Sequence, residues 1–555
     1  MFEKKINNLS IVLLAVVLFI IVLSIVAGSV PPVSRDALIH HLAVPKRYLQ
    51  NGGMFEMPSM VFSYYPMNID LLYMLPLSLG NDIFPKYLHL TFAVLTALLL
   101  WNYLKSRCGD FWGLLGAILF LTTPIIFKLS SVAYVDLGLV FFSFASILSL
   151  LRWRTTVFKA KYLIISAIFG GLALGTKYNG LLVVLILMLL LPWLFLKGQH
   201  DAKSLLSNRG ILRLIRVQLF FLCIALFLFS PWMIRNYRWT GNPVYPLYNR
   251  IFTMSTASVE QDIRPSQPEL NLFFIRRAIY GETWPQILSI PFRIFFQGQD
   301  GSPRHFDGKL NPFLGIFPIF AFIRRKSDKV SVRQEKYYFL WFSILYLIFA
   351  LFAFVYRIRY ISVVIPPLVV LSVFGLHNLG LFARQTKSLL GYYFLRSCFC
   401  GLVLISLYVN FDYMLERFKH IEPLAYLSGQ VSRNEYISRY NPEYPLVVWA
   451  NNHLPSDSRV LLLFSGSRNY YLDRTVHLAP DIMQKNSDGN YTTEDIVYKM
   501  KRYGTTHVII GYSQFQSWLK GLPSLKDREI YQWVFENMTH EIYQANGYKL
   551  LAMKE

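Results

Sequence analysis

A carboxylate, two imidazoles and a lysine lie within one short stretch, RDALIHHLAVPKRYLQNGG at residues 35–53. Asp36, His40 and Lys46 are close to helical spacing and would share one face of a short surface helix. The stretch follows an apolar run after a Pro-Pro-Val-Ser turn, which places it at the edge of a membrane. These groups suit acid–base chemistry on an anionic, lipid-borne substrate. The alternative is a solvated loop that carries ordinary polar residues.

A second carboxylate, Asp136, lies within an apolar run in AYVDLGLVFF. An ionisable side chain inside a membrane span is costly, and it is a functional candidate by default. We expect Asp136 and Asp36 at the same membrane face, where one would act as general base and the other would orient a partner or hold a metal. The alternative for Asp136 is a helix-end residue bonded to backbone amides or water.

Several basic residues are expected on the outer side of the membrane, against the usual cytoplasmic bias of Lys and Arg. Lysine and bidentate arginine suit phosphate oxygens, so the candidates for binding a donor phosphate are Lys177, Arg357 and Arg359. Anchoring to lipid headgroups is the alternative. The candidate substrate-binding residues of the first outer loop are His40, His41, Lys46, Tyr64 and Tyr65. The two tyrosines would stack on a sugar or, alternatively, anchor the loop at the interface.

The composition is that of a polytopic membrane protein. Of 555 residues, 54% are hydrophobic and 16% are charged, whereas soluble proteins carry about 25% charged residues. Much of the net charge of +23 lies in short loops between apolar runs, so it is not a sign of nucleic-acid binding. The four cysteines form no disulfide or zinc pattern. The N-terminal apolar run is too long for a signal peptide and is interpreted as a retained anchor.

Apolar runs predict about eleven transmembrane helices, of which the run at 311–323 is the shortest of all. Basic residues cluster in every second connection, which predicts a cytoplasmic N-terminus and an outer location for everything after residue 411. The predicted spans are 9–29, 83–104, 111–127, 131–151, 162–178, 180–196, 213–232, 311–323, 337–356, 360–382 and 389–411.

Two domains are predicted. Residues 1–411 form the transmembrane domain, with a first outer loop at 30–82 and a long outer loop at 233–310. Residues 412–555 are more polar, and their short β-rich runs alternate with helical stretches, which predicts a small, soluble, extracytoplasmic α/β domain. This domain has no glycine-rich nucleotide loop, serine elbow or metal motif. We interpret it as a structural cap or a module that docks the acceptor.

The motifs resemble those of GT-C-fold integral-membrane glycosyltransferases, specifically the bacterial group that uses polyprenyl-phosphate sugars. This group includes protein mannosyltransferases, aminoarabinose transferases of lipid A and RgtA/B/C/D-like enzymes. The resemblance covers about the first 375 residues, in a shared order and outer placement. It rests on RDALIHHLAVPKRYLQNGG, AYVDLGLVFF, GLALGTKYNGLL, PWMIRNYRWTGNPVYPLYN and RIRYISVVIPP.

The resemblance implies that Asp36 is the catalytic base or acceptor-binding carboxylate and that Asp136 is the second acidic residue. Many relatives have an acidic residue next to the first carboxylate, where this chain has Ala37, and the usual Tyr-His-Leu is His40-His41-Leu42. These departures leave a divalent metal, Mg²⁺ or Mn²⁺, as an open alternative. The implied donor is a polyprenyl-phosphate sugar, so no nucleotide-sugar site is needed. The implied acceptor is a lipid, a glycan or a protein, and transfer inverts the anomeric centre.

The resulting prediction is a sugar transferase on the outer face of the bacterial cytoplasmic membrane, in contact with membrane lipids and not with nucleic acid. One alternative is a lipid-linked sugar flippase or other transporter. A transporter would show internal repeats and broken helices near the midplane, whereas here the polar residues are expected at one face. The other alternative is a polysaccharide polymerase or ligase, which the sequence does not distinguish from the predicted sugar transferase.

Overall fold

A computed structural model describes residues 8–198, 208–253, 272–323, 330–353, 355–384, 388–478, 480–485 and 491–554. Some of the basic connections that predicted the orientation, at 199–207, 324–329 and 385–387, lie outside the described residues. Most of the described chain is helical, because its apolar runs can satisfy their backbone hydrogen bonds in a membrane only within helices.

The membrane part is built of helices of very different length. In chain order they are α1 (Asn8–Gly28), α2 (Ala43–Gln50), α3 (Asn68–Ser78), α4 (Phe84–Cys108), α5 (Asp110–Thr122), α6 (Pro124–Ser130), α7 (Asp136–Thr155), α8 (Ala160–Thr176), α9 (Asn179–Gly198), α10 (Asn208–Thr240), α11 (Asn249–Thr253), α12 (Leu272–Phe274), α13 (Trp284–Leu288), α14 (Ile290–Arg293), α15 (Phe313–Phe320), α16 (Val330–Ala353), α17 (Ile365–Arg384) and α18 (Leu389–Ile421). A π-helical turn at Ala37–His41 precedes α2, and a 3₁₀ turn at Ile358–Val364 precedes α17.

Fewer helices are long enough to cross a membrane than the eleven predicted spans. Within the described residues, eight helical segments are sufficiently long and apolar, and the bent pair α5–α6 makes a ninth. The other two predicted spans correspond to shorter helices. The span 162–178 corresponds to α8, which has 17 residues, and the span 311–323 corresponds to α15, which has eight residues. At about 1.5 Å per residue, α15 covers only about 12 Å. An apolar run therefore identified each helix, but its composition did not determine the helical length.

Two broken elements meet in the interior of the bundle. The axes of α5 and α6 differ by 68°, and the chain before α15 is not helical at 309–311. The side-chain amide of Asn410 of α18 donates a hydrogen bond to the Thr122 hydroxyl at the end of α5 (2.9 Å), and that of Asn311 donates to the side-chain oxygen Oδ1 of Asn410 (2.9 Å). These buried side-chain amides supply polar partners where the helices are interrupted.

The C-terminal part is a small α/β domain, as predicted. It contains α19 (Pro423–Leu427), α20 (Arg433–Tyr440), α21 (Tyr444–His453), β1 (Arg459–Leu463), β2 (Thr475–His477), α22 (Thr493–Arg502), β3 (His507–Gly511), α23 (Tyr512–Gly521), α24 (Leu525–Asn537), β4 (Thr539–Ala545) and β5 (Tyr548–Met553). The strand order is β2-β1-β3-β5-β4. β1 is parallel to β2 and β3, whereas β5 is antiparallel to β3 and β4. Both faces of the sheet are covered, which explains why β1 and β3 read as continuous apolar runs.

The transmembrane domain and the C-terminal domain meet at one end of the bundle. The last long helix, α18, continues to Ile421, beyond the boundary predicted at residue 411. At the opposite end of the bundle, Arg107 near the end of α4 forms an ion pair with Glu335 near the start of α16 (2.9 Å). The end that carries the C-terminal domain also gathers the predicted site residues.

Candidate active site

Two ion pairs lie at the ends of four chain segments. Of their four side chains Asp136 is buried, whereas Asp36, Lys177 and Arg359 are partly exposed. Asp136, the first residue of α7, is paired with Lys177, which directly follows α8 (2.7 Å). Asp36, which directly precedes the π-turn, is paired with Arg359 of the 3₁₀ turn before α17 (2.5 Å). Helix ends of opposite direction meet at one face of the bundle, so residues that are distant in sequence become neighbours. The structure therefore brings together four of the five predicted catalytic and phosphate-binding residues.

The ring of Tyr360 connects the two ion pairs. The Lys177 ammonium lies 4.8 Å from the centre of this ring, and the Arg359 guanidinium lies 4.9 Å from it. The same guanidinium lies 5.3 Å from the ring centre of Tyr134. A cation over an aromatic face is stabilised by the ring quadrupole. The two rings therefore hold both cations in one place while leaving them charged for an anionic group.

The charge state of Asp36 depends on Arg359. Burial alone would raise the pKa of this carboxyl, but the Arg359 guanidinium holds the pKa well below its usual value of 3.8. Asp36 is therefore an ionised carboxylate with low proton affinity as long as Arg359 stays beside it. If an anion drew Arg359 away, burial would dominate and the proton affinity of Asp36 would increase.

A histidine–carboxylate pair lies behind the ion pairs. His41 Nδ1 is 2.7 Å from Asp70 Oδ1, and both side chains are buried. Burial raises the pKa of Asp70 and lowers the pKa of His41, so the uncharged form of the pair is favoured. The ring of His40 packs between those of His41 and Phe62, at centroid distances of 4.0 and 4.5 Å. Sequence reasoning missed Asp70, although a carboxylate in the apolar stretch 69–79 is the same kind of signal that identified Asp136.

His89 of α4 supports the start of α7. Its Nδ1 donates to the Leu129 and Val132 carbonyls (3.0 and 2.9 Å), and its Nε2 accepts a hydrogen bond from the Leu137 amide (2.9 Å). An amide N–H can only donate, so the ring is the neutral tautomer with its proton on Nδ1. His89 thereby fixes the turn that carries Asp136. This residue was also missed, although a histidine within an apolar span is a recognisable signal.

Other predicted residues lie away from this centre. The expected surface helix shared by Asp36, His40 and Lys46 is instead a buried π-turn followed by α2, and Lys46 is turned to Asp473 of the C-terminal domain (2.7 Å). The reason is that the five-residue turn before α2 changes the helical phase. Arg357 forms an ion pair with Asp307 of the long outer loop (3.5 Å), so it does not face the same group as Arg359.

The two tyrosines of the first outer loop have different surroundings. Tyr64 is 1% exposed, and its hydroxyl donates to Glu56 (2.6 Å), so its ring is not open to a sugar. Tyr65 packs against Tyr178 with ring centroids 5.2 Å apart, and Tyr178 follows Lys177 in the chain. Tyr65 is therefore the nearer of the two to the paired charges.

A cavity of about 340 Å³ lies beside the site, between the first outer loop and the C-terminal domain. Residues 59–62 form one wall and residues 462–464 another, and Arg35 and Ile39 also line the cavity. Arg35 and Ile39 directly precede Asp36 and His40 in the chain. The cavity therefore gives a route from the surface to the backbone turn that carries the site.

The part of the chain that the structure describes contains no ligand set for a divalent metal. Among the described residues, no three His, Cys, Asp or Glu side chains converge as metal ligands. Asp36 and Asp136 each have a cationic side chain as the partner instead of a second carboxylate.

The fold and part of the sequence match known membrane glycosyltransferases. Residues 77–239, which include Asp136 and Lys177, match the model of the dolichyl-phosphate-mannose-protein mannosyltransferase family. The fold resembles ArnT of Cupriavidus metallidurans in the apo state, with a TM-score of 0.56, 13% identity and coverage of 98% of this chain and 97% of that chain. For the same enzyme bound to undecaprenyl phosphate the TM-score is 0.55 and the identity 12%. The match again covers 98% of this chain and 97% of that chain.

A more distant likeness is to the oligosaccharyltransferase of Archaeoglobus fulgidus, with a TM-score of 0.50 and 13% identity. It covers 92% of this chain and 70% of that chain. No curated protein sequence matches the chain. The chain is thus a multi-pass membrane protein with the GT-C fold of integral-membrane glycosyltransferases.

Proposed function

We propose that the chain transfers a sugar from a polyprenyl-phosphate donor to a lipid, glycan or protein acceptor at the outer face of the bacterial cytoplasmic membrane, with inversion. The observation that carries this proposal is the pair of carboxylate–cation contacts, Asp36–Arg359 and Asp136–Lys177, joined by the Tyr360 ring. The family match and the ArnT complex with undecaprenyl phosphate support the class of donor.

Lys177 and Arg359 would bind the donor phosphate. Both cations are held over aromatic rings and are already desolvated, so an arriving phosphate would gain charge-assisted hydrogen bonds without first ordering a flexible side chain. Arg357 lies further out beside Asp307, where it would guide the phosphate towards the site. The charge that develops on the leaving phosphate would be neutralised by the same cations, which lowers the barrier to transfer.

Asp36 would be the general base. The proton of the acceptor hydroxyl passes to the Asp36 carboxylate as the acceptor oxygen attacks the anomeric carbon, and the bond from that carbon to the phosphate oxygen breaks. The electron pair of the broken bond leaves with the polyprenyl phosphate. A phosphate that takes over Arg359 would at the same time strengthen Asp36 as a base, because burial then determines its pKa. Asp136 would keep Lys177 in place.

The acceptor would approach through the cavity beside Arg35 and Ile39, which reaches the turn that carries Asp36. Its lining is mostly apolar, with Arg35 as its charged member. Tyr65, whose ring packs against that of Tyr178 beside Lys177, would contact the sugar or acceptor. Comparison of surface glycolipids and glycoproteins between a deletion strain and wild type by mass spectrometry would identify the acceptor by the sugar it lacks.

The Asp36→Asn variant tests the proposal directly. It keeps the shape of the side chain and removes its basicity, so sugar transfer by purified protein should fall about 10²–10⁴-fold, the usual contribution of a general base. Transfer is measured from a panel of radiolabelled polyprenyl-phosphate sugars to membranes of the deletion strain. Asp457→Asn, an exposed carboxylate of the C-terminal domain, is the matched control and should retain full activity.

Full transfer by Asp36→Asn would contradict the assignment of the base. Movement of the labelled lipid across vesicles without any covalent product would instead support a flippase. Extension of a glycan by many units would support a polymerase.

A further inference from the structure

The C-terminal domain bonds to the backbone of the turn that carries the candidate site. The amides of Asn469 and Tyr470 both donate to the Leu38 carbonyl, at 3.1 Å each. The side-chain amide of Asn469 donates to the next carbonyl, that of Ile39 (3.2 Å). Three donors from one segment therefore meet two consecutive carbonyls of the π-turn at Ala37–His41.

These two carbonyls lie between the reactive side chains. Leu38 and Ile39 separate Asp36 from His40 and His41 along the chain, so a shift of their peptide groups would shift all three side chains. The turn closes with an i→i+5 hydrogen bond from the Leu42 amide to the Ala37 carbonyl (2.9 Å). A π-turn is an uncommon conformation found frequently at functional sites. External donors on its carbonyls are a physical reason for its persistence here.

Side-chain contacts hold the same segment against α2. Lys46 donates to the Tyr470 carbonyl (2.8 Å) and to Asp473 (2.7 Å). Arg47 donates to the Leu472 and Arg474 carbonyls (2.8 and 3.1 Å). Because Lys46 and Arg47 belong to α2, segment 467–474 contacts both the turn and the helix after it.

Asn469 is the centre of this contact. Its side chain is fully buried and donates within its own segment to the Ser467 carbonyl (3.2 Å) as well as to Ile39. The Ser467 end of the segment also lines the cavity beside the site. The segment therefore borders the cavity at Ser467 and at the same time supports the turn.

We propose that segment 467–474 of the C-terminal domain is a positioning element of the reaction site, with Asn469 as its principal positioning residue. The segment fixes the π-turn so that Asp36 faces Arg359 and His41 faces Asp70. The role in catalysis rests on the proposed function, whereas the mechanical role does not. The C-terminal domain is then part of the site, and undocking of the segment would switch transfer off.

The first test removes the side-chain donor with Asn469→Ala. Hydrogen exchange of peptides that cover 36–44 should become faster in the variant, because the turn has lost an external donor. The kcat of sugar transfer should fall about tenfold or more, since displacement of a reacting group by 1 Å can cost about 10²-fold. The KM for the polyprenyl-phosphate donor should stay within about twofold, because Lys177 is untouched. Asn537→Ala is the matched control, since Asn537 also donates from its side chain to a backbone carbonyl, that of Trp533, within the same domain.

The second test uses the charge pair of the same contact. Lys46→Asp and Asp473→Lys should each lower kcat and speed exchange at 36–44, and the double variant should restore both. Rescue by the swapped pair separates positioning from general loss of folding. Unchanged exchange at 36–44 in Asn469→Ala, or a folded variant with wild-type kcat, would overturn the proposal. If the wild-type protein transfers no sugar, the proposed function fails, and exchange at 36–44 alone then decides whether the segment holds the turn.

Discussion

At the residue scale, the contact between Asp36 and Arg359 links donor binding to acid–base chemistry. In the free protein the guanidinium lies 2.5 Å from the carboxylate and lowers its pKa. A base that is neutralised in this way is weak, which protects the site from unproductive proton transfer. A donor phosphate that competes for Arg359 would release the carboxylate only when the substrate is in place.

Arg359→Gln should move the acidic limb of the pH–rate profile to higher pH. Asp36 must be ionised to act as base, so activity is lost as the pH falls through its pKa. With Arg359 present that pKa lies below 3.8; without it, burial raises the pKa. The measurement is kcat/KM against pH, which reports groups of the free enzyme. Arg439→Gln, an exposed arginine paired with Glu435, should leave the profile unchanged, and an unshifted limb in Arg359→Gln would remove Arg359 from this role.

The phosphate-binding residues also differ in what their loss should do. Lys177→Ala should weaken donor binding more than acceptor binding, since Lys177 lies beside Tyr360 and Arg359. Arg357→Ala should have a smaller effect on donor affinity, because Arg357 is paired with Asp307 and not with Asp36 or Asp136. Binding of a fluorescent polyprenyl phosphate to purified variants measures this. If Lys177→Ala bound the donor as tightly as wild type, Lys177 would not bind the phosphate, and anchoring to lipid headgroups would explain its position.

At the element scale, the short helix α15 is stabilised by close packing against α17. A Cβ atom on Gly375 of α17 would lie 2.1 Å from the Phe317 carbonyl oxygen of α15, so only glycine allows the backbones to approach this closely. Asn378, one turn further along α17, donates to the Phe320 and Ala321 carbonyls at the end of α15 (3.0 and 3.1 Å). The eight-residue α15 is thus stabilised by its neighbour instead of by its own length.

Gly375→Ala should destabilise the protein by about 1–3 kcal/mol, the usual cost of overpacking, because the contacting atom is backbone and cannot rotate away. Thermal unfolding of purified protein in detergent should show a lower Tm. Gly401→Ala on α18 is the control: no atom lies within 4 Å of its Cβ position, and alanine favours a helix by about 0.8–1.0 kcal/mol over glycine. An unchanged Tm in Gly375→Ala would mean that α15 and α17 can separate at no cost.

At the scale of the whole molecule, different residues gather at the two ends of the helix bundle. The Arg107–Glu335 pair joins two ends at one side, and the candidate site and the C-terminal domain share the other. The positive-inside rule predicts that the site faces outward. Residues of the first outer loop and of the C-terminal domain together line the cavity beside the site.

Alkaline phosphatase fused after residue 420, at the end of α18, should be active, because that enzyme works only outside the cytoplasm. A fusion after residue 157, in the turn between α7 and α8, should be inactive and a cytoplasmic reporter there should be active. The two positions lie at opposite ends of the bundle. Cytoplasmic reporter activity after residue 420 would reverse the orientation and place the site inside.

The membrane class, the helical runs and the α/β nature of the C-terminal domain were predictable from the sequence. Each depends on composition or periodicity over a short window, and so does the candidacy of Asp136 as a carboxylate in an apolar run. Asp70 and His89 carry similar local signals and could have been found in the same way.

The partners of these residues were decided only by the tertiary structure. Lys177 is 41 positions from Asp136, and Asn469 is 430 positions from Ile39. No local pattern relates residues at such separations, because their contact results from which helix ends meet and how the C-terminal domain docks on them. The turn of Lys46 towards Asp473 has the same origin: one π-turn changes the phase of the following helix, and the domain above it then offers the nearest opposite charge.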